Sequence, residues 1–260
     1  MSEIIYSIVV FLATCIGAIS GIGGGVIIKP SFDALNIHSV ETISFLSGCA
    51  VLTMSLYSTS KHIRNKELQL SNSSMLLYVI SGSILGGFIG SNLFKFFLTI
   101  ISNDMMKGMQ ACILVLILLF VLANSIFEFK KFHINNKLTI LFVGLFLGTI
   151  SSFIGIGGGP LNVAVFILFF SCTIKQAAVY SLITIVFSQL TSLLLAIFTT
   201  SILSQDLNIL FFILPAALLG GLIGTKIHKQ VNEKVIEYVY NMVIILILLL
   251  NAINAYHAFV

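Results

Sequence analysis

The chain alternates between long apolar stretches and short polar breaks. Apolar segments fall at about 4–35, 39–60, 74–100, 107–127, 138–171, 175–200, 207–226 and 235–258. The polar stretches "KHIRNKELQLSNSS" (61–74) and "EFKKFHINNK" (128–137) punctuate them. Runs such as "ACILVLILLFVLA" at 111–123 show no alternation of polar and apolar positions. A membrane β-strand would alternate, whereas about 20 apolar residues cross a bilayer as one helix. The pattern predicts an all-α polytopic membrane protein.

Composition agrees. Of 260 residues, 58% are hydrophobic and 8% charged, against roughly a quarter charged in soluble domains. That is too little polar side chain to cover a water-facing surface. The net charge of +4 comes from loop lysines, so it bears on membrane orientation rather than nucleic-acid binding. The first segment lacks a basic leader and runs straight into a glycine motif, unlike a cleaved signal peptide. Cys15, Cys49, Cys112 and Cys172 form no CxxC and no metal-ligand spacing; they are expected to be buried small hydrophobes. His62, His133 and His228 fall outside the apolar segments and are expected to be solvated.

"GIGGG" occurs twice, at 21–25 and 155–159, an offset of 134 residues. A second pair keeps that offset: "SGSILGGFIGSNLFKFF" (81–97) against "PAALLGGLIGTKIHKQV" (215–231). Leu85, Gly86, Gly87, Ile89, Gly90 and Lys95 match Leu219, Gly220, Gly221, Ile223, Gly224 and Lys229. Two motifs at one spacing indicate an internal duplication, with 1–130 and 131–260 as four-segment halves of one transmembrane domain. The segment at 138–171 has 34 residues, about 50 Å as one helix, while the hydrocarbon layer is about 30 Å thick. A helix–break–helix hairpin fits better.

If each glycine-bearing segment enters and leaves on one face, the halves become inverted repeats with re-entrant, broken helices. Lys61, Arg64, Lys66, Lys130, Lys131, Lys137, Lys175, Lys226, Lys229 and Lys234 then share one side, against Lys29, Lys95 and Lys107. Single crossings would divide the bases almost evenly, contrary to the positive-inside rule.

Inverted repeats with broken helices hold substrates near the midplane. A helix restarting at the break presents free N–H groups and a positive dipole end, which favour an anion. Gly23, Gly24 and Gly25, with Gly157, Gly158 and Gly159, are the candidates for backbone contact with it; glycine lets a ligand approach without a Cβ in the way. Pro160 suits the first position of the restarting helix. Asn162 offers neutral amide donors. Ser47 and Ser181 correspond under the offset, with Gln189 on the same helical face as Ser181; each could line the cavity or bond within the helices. Lys29 is either a cation at the site or one that snorkels to the interface. Asp33, His38 and Glu41 follow the first break and either line a loop mouth or relay a proton. Gly82, Gly86, Gly90, Gly220 and Gly224 have the four-residue spacing of packing faces.

The duplicated Gly-x-Gly-Gly-Gly motif and the paired "LGGxIG" stretches resemble the TauE/SafE family, also called the sulfite exporter family, over essentially the whole chain. The resemblance implies secondary transport of small sulfur-containing anions such as sulfite, sulfoacetate or related sulfonates, in a bacterial inner membrane. The halves differ: Pro30 stands where the second copy has Ala164, so their helix ends are expected to contribute unequally. An anion channel is the alternative, followed by a membrane-embedded redox or scaffold protein. No HExxH, GxSxG or Walker A sequence is present, so no enzyme, catalytic residue, cofactor or metal site is expected. The expected partners are a small anion and the lipid bilayer, with a proton as coupling ion and a homodimer as further candidates, and no nucleic acid.

Overall fold

The computed structural model describes residues 2–35, 37–65, 73–127, 130–199 and 207–259. All regular structure there is helical: α1 (Ser2–Ser20), α2 (Gly25–Leu35), α3 (Val40–Arg64), α4 (Ser73–Ile100), α5 (Asn103–Phe127), α6 (Lys137–Ile154), α7 (Gly159–Phe170), α8 (Ile174–Thr199), α9 (Leu210–Gln230) and α10 (Glu233–Phe259). Among the described residues, eight helices are long and apolar enough to cross a membrane; α2 and α7 are the short ones. Large apolar side chains such as Phe88, Leu116 and Phe211 point outward, which water would penalise and a bilayer does not. The protein is a multi-pass membrane protein.

Both glycine motifs break their segments. After α1 the chain doubles back, so that Gly24 lies against Thr14 and the Gly23 amide donates to the Gly17 carbonyl at 3.3 Å. By the end of α2, Phe32 has returned to Tyr6 near the start of α1, with ring centroids 4.1 Å apart. The second break repeats the reversal. Gly155 caps α6 in the left-handed region, and Gly157 and Gly158 follow at φ 83° and 111°, angles that L side chains rarely adopt. The end of α7 then meets the entry to α6, where the Phe132 and Ile134 amides donate to the Leu168 and Phe169 carbonyls. Each hairpin therefore returns to the side from which it started.

Bare glycine backbones set the remaining contacts. Gly82, Gly86 and Gly90 of α4 press in turn on Leu141, Leu145 and Thr149 of α6, so these helices run parallel. Gly220 and Gly224 of α9 do the same on Phe11 and Cys15 of α1. A Cβ at any of these five positions would enter a neighbouring carbonyl or hydroxyl; the four-residue spacing is a packing face. Met54 and Ser58 of α3 meet Gly221 and Thr225, so α3 is parallel to α9. Ser91 meets Ser192, and Lys95 meets the Leu195 carbonyl, so α4 is parallel to α8. Helices α3 and α8 cross the centre antiparallel: Gly48 lies against Gln189, and Val51 and Ile185 meet at Gly23. Thus α1, α3 and α9 run one way and α4, α6 and α8 the other. Helices that correspond under the offset point in opposite directions.

Two expectations need correction. Helix α3 continues to Arg64 and α9 to Gln230, past the polar boundaries expected at 60 and 226. His62 and His228 are consequently buried rather than solvated, their rings 5.2 Å apart, with His228 Nδ1 2.6 Å from the Ile19 carbonyl. A helix end packed on its neighbours buries whichever side chain faces them, whatever the local polarity. His133 is exposed, as expected. Cys112 is also exposed, on the outward face of α5, whereas Cys172 is buried and Cys15 and Cys49 are half-buried; all four are free thiols. On the lipid side a cysteine needs no burial to escape water. Lys66 lies outside the described residues.

Candidate functional site

The two breaks abut. A Cβ on Gly25 would collide with the Ile156 carbonyl, and one on Gly159 would sit 2.9 Å from Val26. The first residues of α2 and α7 thus lie side by side between the antiparallel pair α3 and α8. The N-cap of α7 is Gly158, which has no side chain to cap the helix, and Pro160 stands in the first turn. The opening N–H groups of such a helix lack intrahelical acceptors. Tyr240 of α10 donates to the Pro160 carbonyl at 2.8 Å, and Asn254 of the same helix to the Pro30 carbonyl at 2.9 Å. One helix therefore fixes both short ones.

Neutral polar side chains surround the junction. Asn162 lies against Gly158, and Gln189 reaches from Gly48 to Gly157. Ser44 touches Gly155. Ser47 shares the face of α3 that carries Ser44 and Val51, and Val51 contacts Gly23 and Gly157. On α8, Ser181 shares the face of Ala178 and Ile185, which contact Gly21 and Gly23. Both amide atoms of Asn162, Gln189 Nε2, and the hydroxyls of Ser44, Ser47, Ser152 and Ser181 are buried without a hydrogen-bond partner among the described residues. Each such group costs about 1–3 kcal/mol when left unmet. Several around one point mark a place built to receive something polar.

A cavity of ≈ 50 Å³ lies beside the second break, lined by Ser44, Ser152, Gly155 and Gln189 together with the charged Glu41 and Lys95. One water needs about 10–15 Å³ by this measure, so the space suits a few waters or one small oxyanion.

Of the residues singled out in the sequence, Gly23, Gly25, Gly157, Gly158, Gly159, Asn162, Gln189, Ser47 and Ser181 gather at the junction. Gly24 faces the backbone of Thr14 instead and serves the hairpin. Lys29 is buried; its Nζ donates to Asp33 Oδ2 at 2.9 Å and Gln110 Oε1 at 2.8 Å, so it does not snorkel. Asp33 belongs to α2, not to a loop mouth. Sequence reasoning missed Ser44, Ser152 and Gln110. Ser44 was hidden because its counterpart under the offset is Ala178, although it lies one turn before Ser47 on the same face. Ser152 precedes the second motif by one turn. No local signal marks Gln110.

Comparisons with known proteins give the family of the chain. A family model described as "Sulfite exporter TauE/SafE" matches residues 6–251. "Probable membrane transporter protein YunE" of Bacillus subtilis (strain 168) is 26% identical over 276 aligned positions, covering 95% of this chain and 96% of its own. No solved structure matches the chain.

Proposed function

Since the chain belongs to the sulfite exporter TauE/SafE family and is a membrane transporter, we propose that it carries small sulfur-containing anions, such as sulfite or sulfoacetate, across a bacterial inner membrane as a secondary transporter. The observation that carries the reading is the meeting of two uncapped half-helix starts among unpartnered neutral donors. Two positive dipole ends attract negative charge without a fixed counter-ion. Neutral serine and amide donors select an oxyanion over a halide, because they spread several hydrogen bonds over several oxygens. The opposed directions of corresponding helices support inverted repeats, the arrangement in which one central site is reached from either side in turn. The grouping of Lys61, Arg64, Lys130, Lys131, Lys137, Lys175, Lys226, Lys229 and Lys234 at helix ends on one side supports placing that side in the cytoplasm.

The test is counterflow of radiolabelled sulfite in proteoliposomes, with sulfoacetate, other sulfonates, thiosulfate, sulfate and chloride as competitors. Saturable exchange, competed by sulfur oxyanions and lost in Gly158→Val protein that still inserts and purifies, is the expected result. A Cβ there would enter the Asn162 amide. Flux that never saturates would point to a channel, and exchange that survives the substitution would remove the break from the site.

A further inference from the structure

The buried pair Lys29–Asp33 stands next to the proposed anion site but is not part of it. We propose that Asp33 is the proton-binding group of a proton–anion symport, and that its protonation releases the charge of Lys29 to the anion. This rests on the reading of the breaks as an anion site.

Four observations carry it. First, Lys29 is 2% exposed and its ammonium is neutralised by Asp33 Oδ2 at 2.9 Å. Second, Asp33 Oδ1 is buried and has no hydrogen-bond partner among the described residues. A carboxylate at rest in a structural ion pair would have both oxygens met; this one has an oxygen open to a proton. Third, Asp33 lines a separate cavity of ≈ 490 Å³, with Asp104, Lys107 and His257 among its polar lining, which gives solvent protons a way in. Fourth, Lys29 touches the second break. Its Cε lies 3.4 Å from where a Cβ on Gly155 would be, and Gln110, its other partner, donates to the Phe153 carbonyl at 2.7 Å in the last turn of α6. The counterparts of Lys29 and Asp33 under the offset are Val163 and Ile167, so the device occurs once.

The charge balance is simple. With Asp33 ionised, the pair is neutral and offers the anion nothing. A proton that enters by the cavity forms an O–H bond on the carboxylate, which becomes neutral. Lys29 is then a buried cation whose partners, the neutral Asp33 carboxyl and the Gln110 amide, carry no charge, and an isolated buried charge is unfavourable. An anion at the neighbouring break restores neutrality, so proton and anion bind together. By linkage each raises the affinity for the other by the same factor. Toward the same end of the surrounding elements as Asp33, the ionisable groups are Glu3 and Tyr6 of α1, His38 just before α3 and Glu41 in its first turn, Asp104 and Lys107 of α5, and Tyr256 and His257 of α10; α7 contributes none. Of these, Tyr6 is packed nearest, on Phe32 of α2 and stacked on His38.

The experiment uses the full protein in proteoliposomes with radiolabelled sulfite, comparing exchange at equal pH with net uptake under an inward proton gradient. In the wild type the gradient raises accumulation up to about tenfold per pH unit for one coupled proton. Asp33→Asn mimics the protonated carboxyl and still exchanges sulfite at a measurable rate at equal pH, but its net uptake gains nothing beyond the effect of pH on sulfite itself. The double variant Lys29→Met/Asp33→Leu replaces the pair by apolar side chains, which buried pairs often tolerate; it folds and binds sulfite about tenfold or more weakly. The proposal is overturned if Asp33→Asn responds to the gradient like wild type, if it runs as a folded monodisperse species yet exchanges nothing, or if the double variant keeps wild-type affinity. Saturable wild-type exchange that ignores the gradient would remove the coupling alone. A wild type that exchanges no anion would remove the site reading and the coupling together.

Discussion

Asn162 and Gln189 show what a single side chain contributes here. Neither carries charge, yet Asn162 is buried with both amide atoms unpartnered and Gln189 is buried with its Nε2 unpartnered, a state that destabilises the empty protein. Two effects are therefore expected from Asn162→Ala and Gln189→Leu. Loss of a hydrogen bond to a charged ligand costs about 1.5–3 kcal/mol, roughly tenfold or more in affinity. The ligand-free protein should be as stable as wild type or more so, because an unmet polar group has gone. Sulfite competition curves check the first effect and thermal unfolding in detergent the second. A structural role would reverse the second sign.

At the scale of elements, the pairing of α4 with α6 and of α9 with α1 depends on glycine, because a carbonyl of one helix sits where the other would carry a Cβ. Gly86→Val should lower the yield and melting temperature of the purified protein, since overpacking costs about 1–3 kcal/mol and the obstacle is backbone. The adjacent Leu85, 52% exposed toward lipid, is the control: Leu85→Ala should leave both unchanged. The half-helices have a different dependence. Tyr240 holds α7 through the Pro160 carbonyl, so Tyr240→Phe should slow transport while the fold persists, measured as a fall in maximal exchange rate.

The whole molecule is asymmetric about its centre. Ser91 and Ser192 join at 2.6 Å and line the cavity, Ser192 being half-buried; their counterparts Thr225 and Ser58 join at 2.7 Å and are both fully buried. Where Phe94 and Ala196 flank the opening, the corresponding positions hold His228 and His62 packed together. In a background without native cysteines, Ser192→Cys should react with a membrane-impermeant thiol reagent added on the side of Lys95. Ser58→Cys should be protected from either side until substrate drives the other state. Equal labelling of both would contradict a site open on one side at a time.

The linear pattern determined the elements. An apolar run of membrane length must be helical, because hydrocarbon offers its backbone no other partner; three adjacent glycines in such a run weaken it wherever the chain folds. The four-residue glycine face was equally legible, since its spacing needs no long-range geometry. What the sequence left open was depth and company. Whether Lys29 snorkels or lies buried depends on Asp33 and on Gln110, 81 positions away. Whether His62 is solvated depends on where α9 packs, and Ser44 joins the junction only because α6 ends against it. These are long-range placements fixed by which helices fit together, and packing depends on shapes that no local window contains.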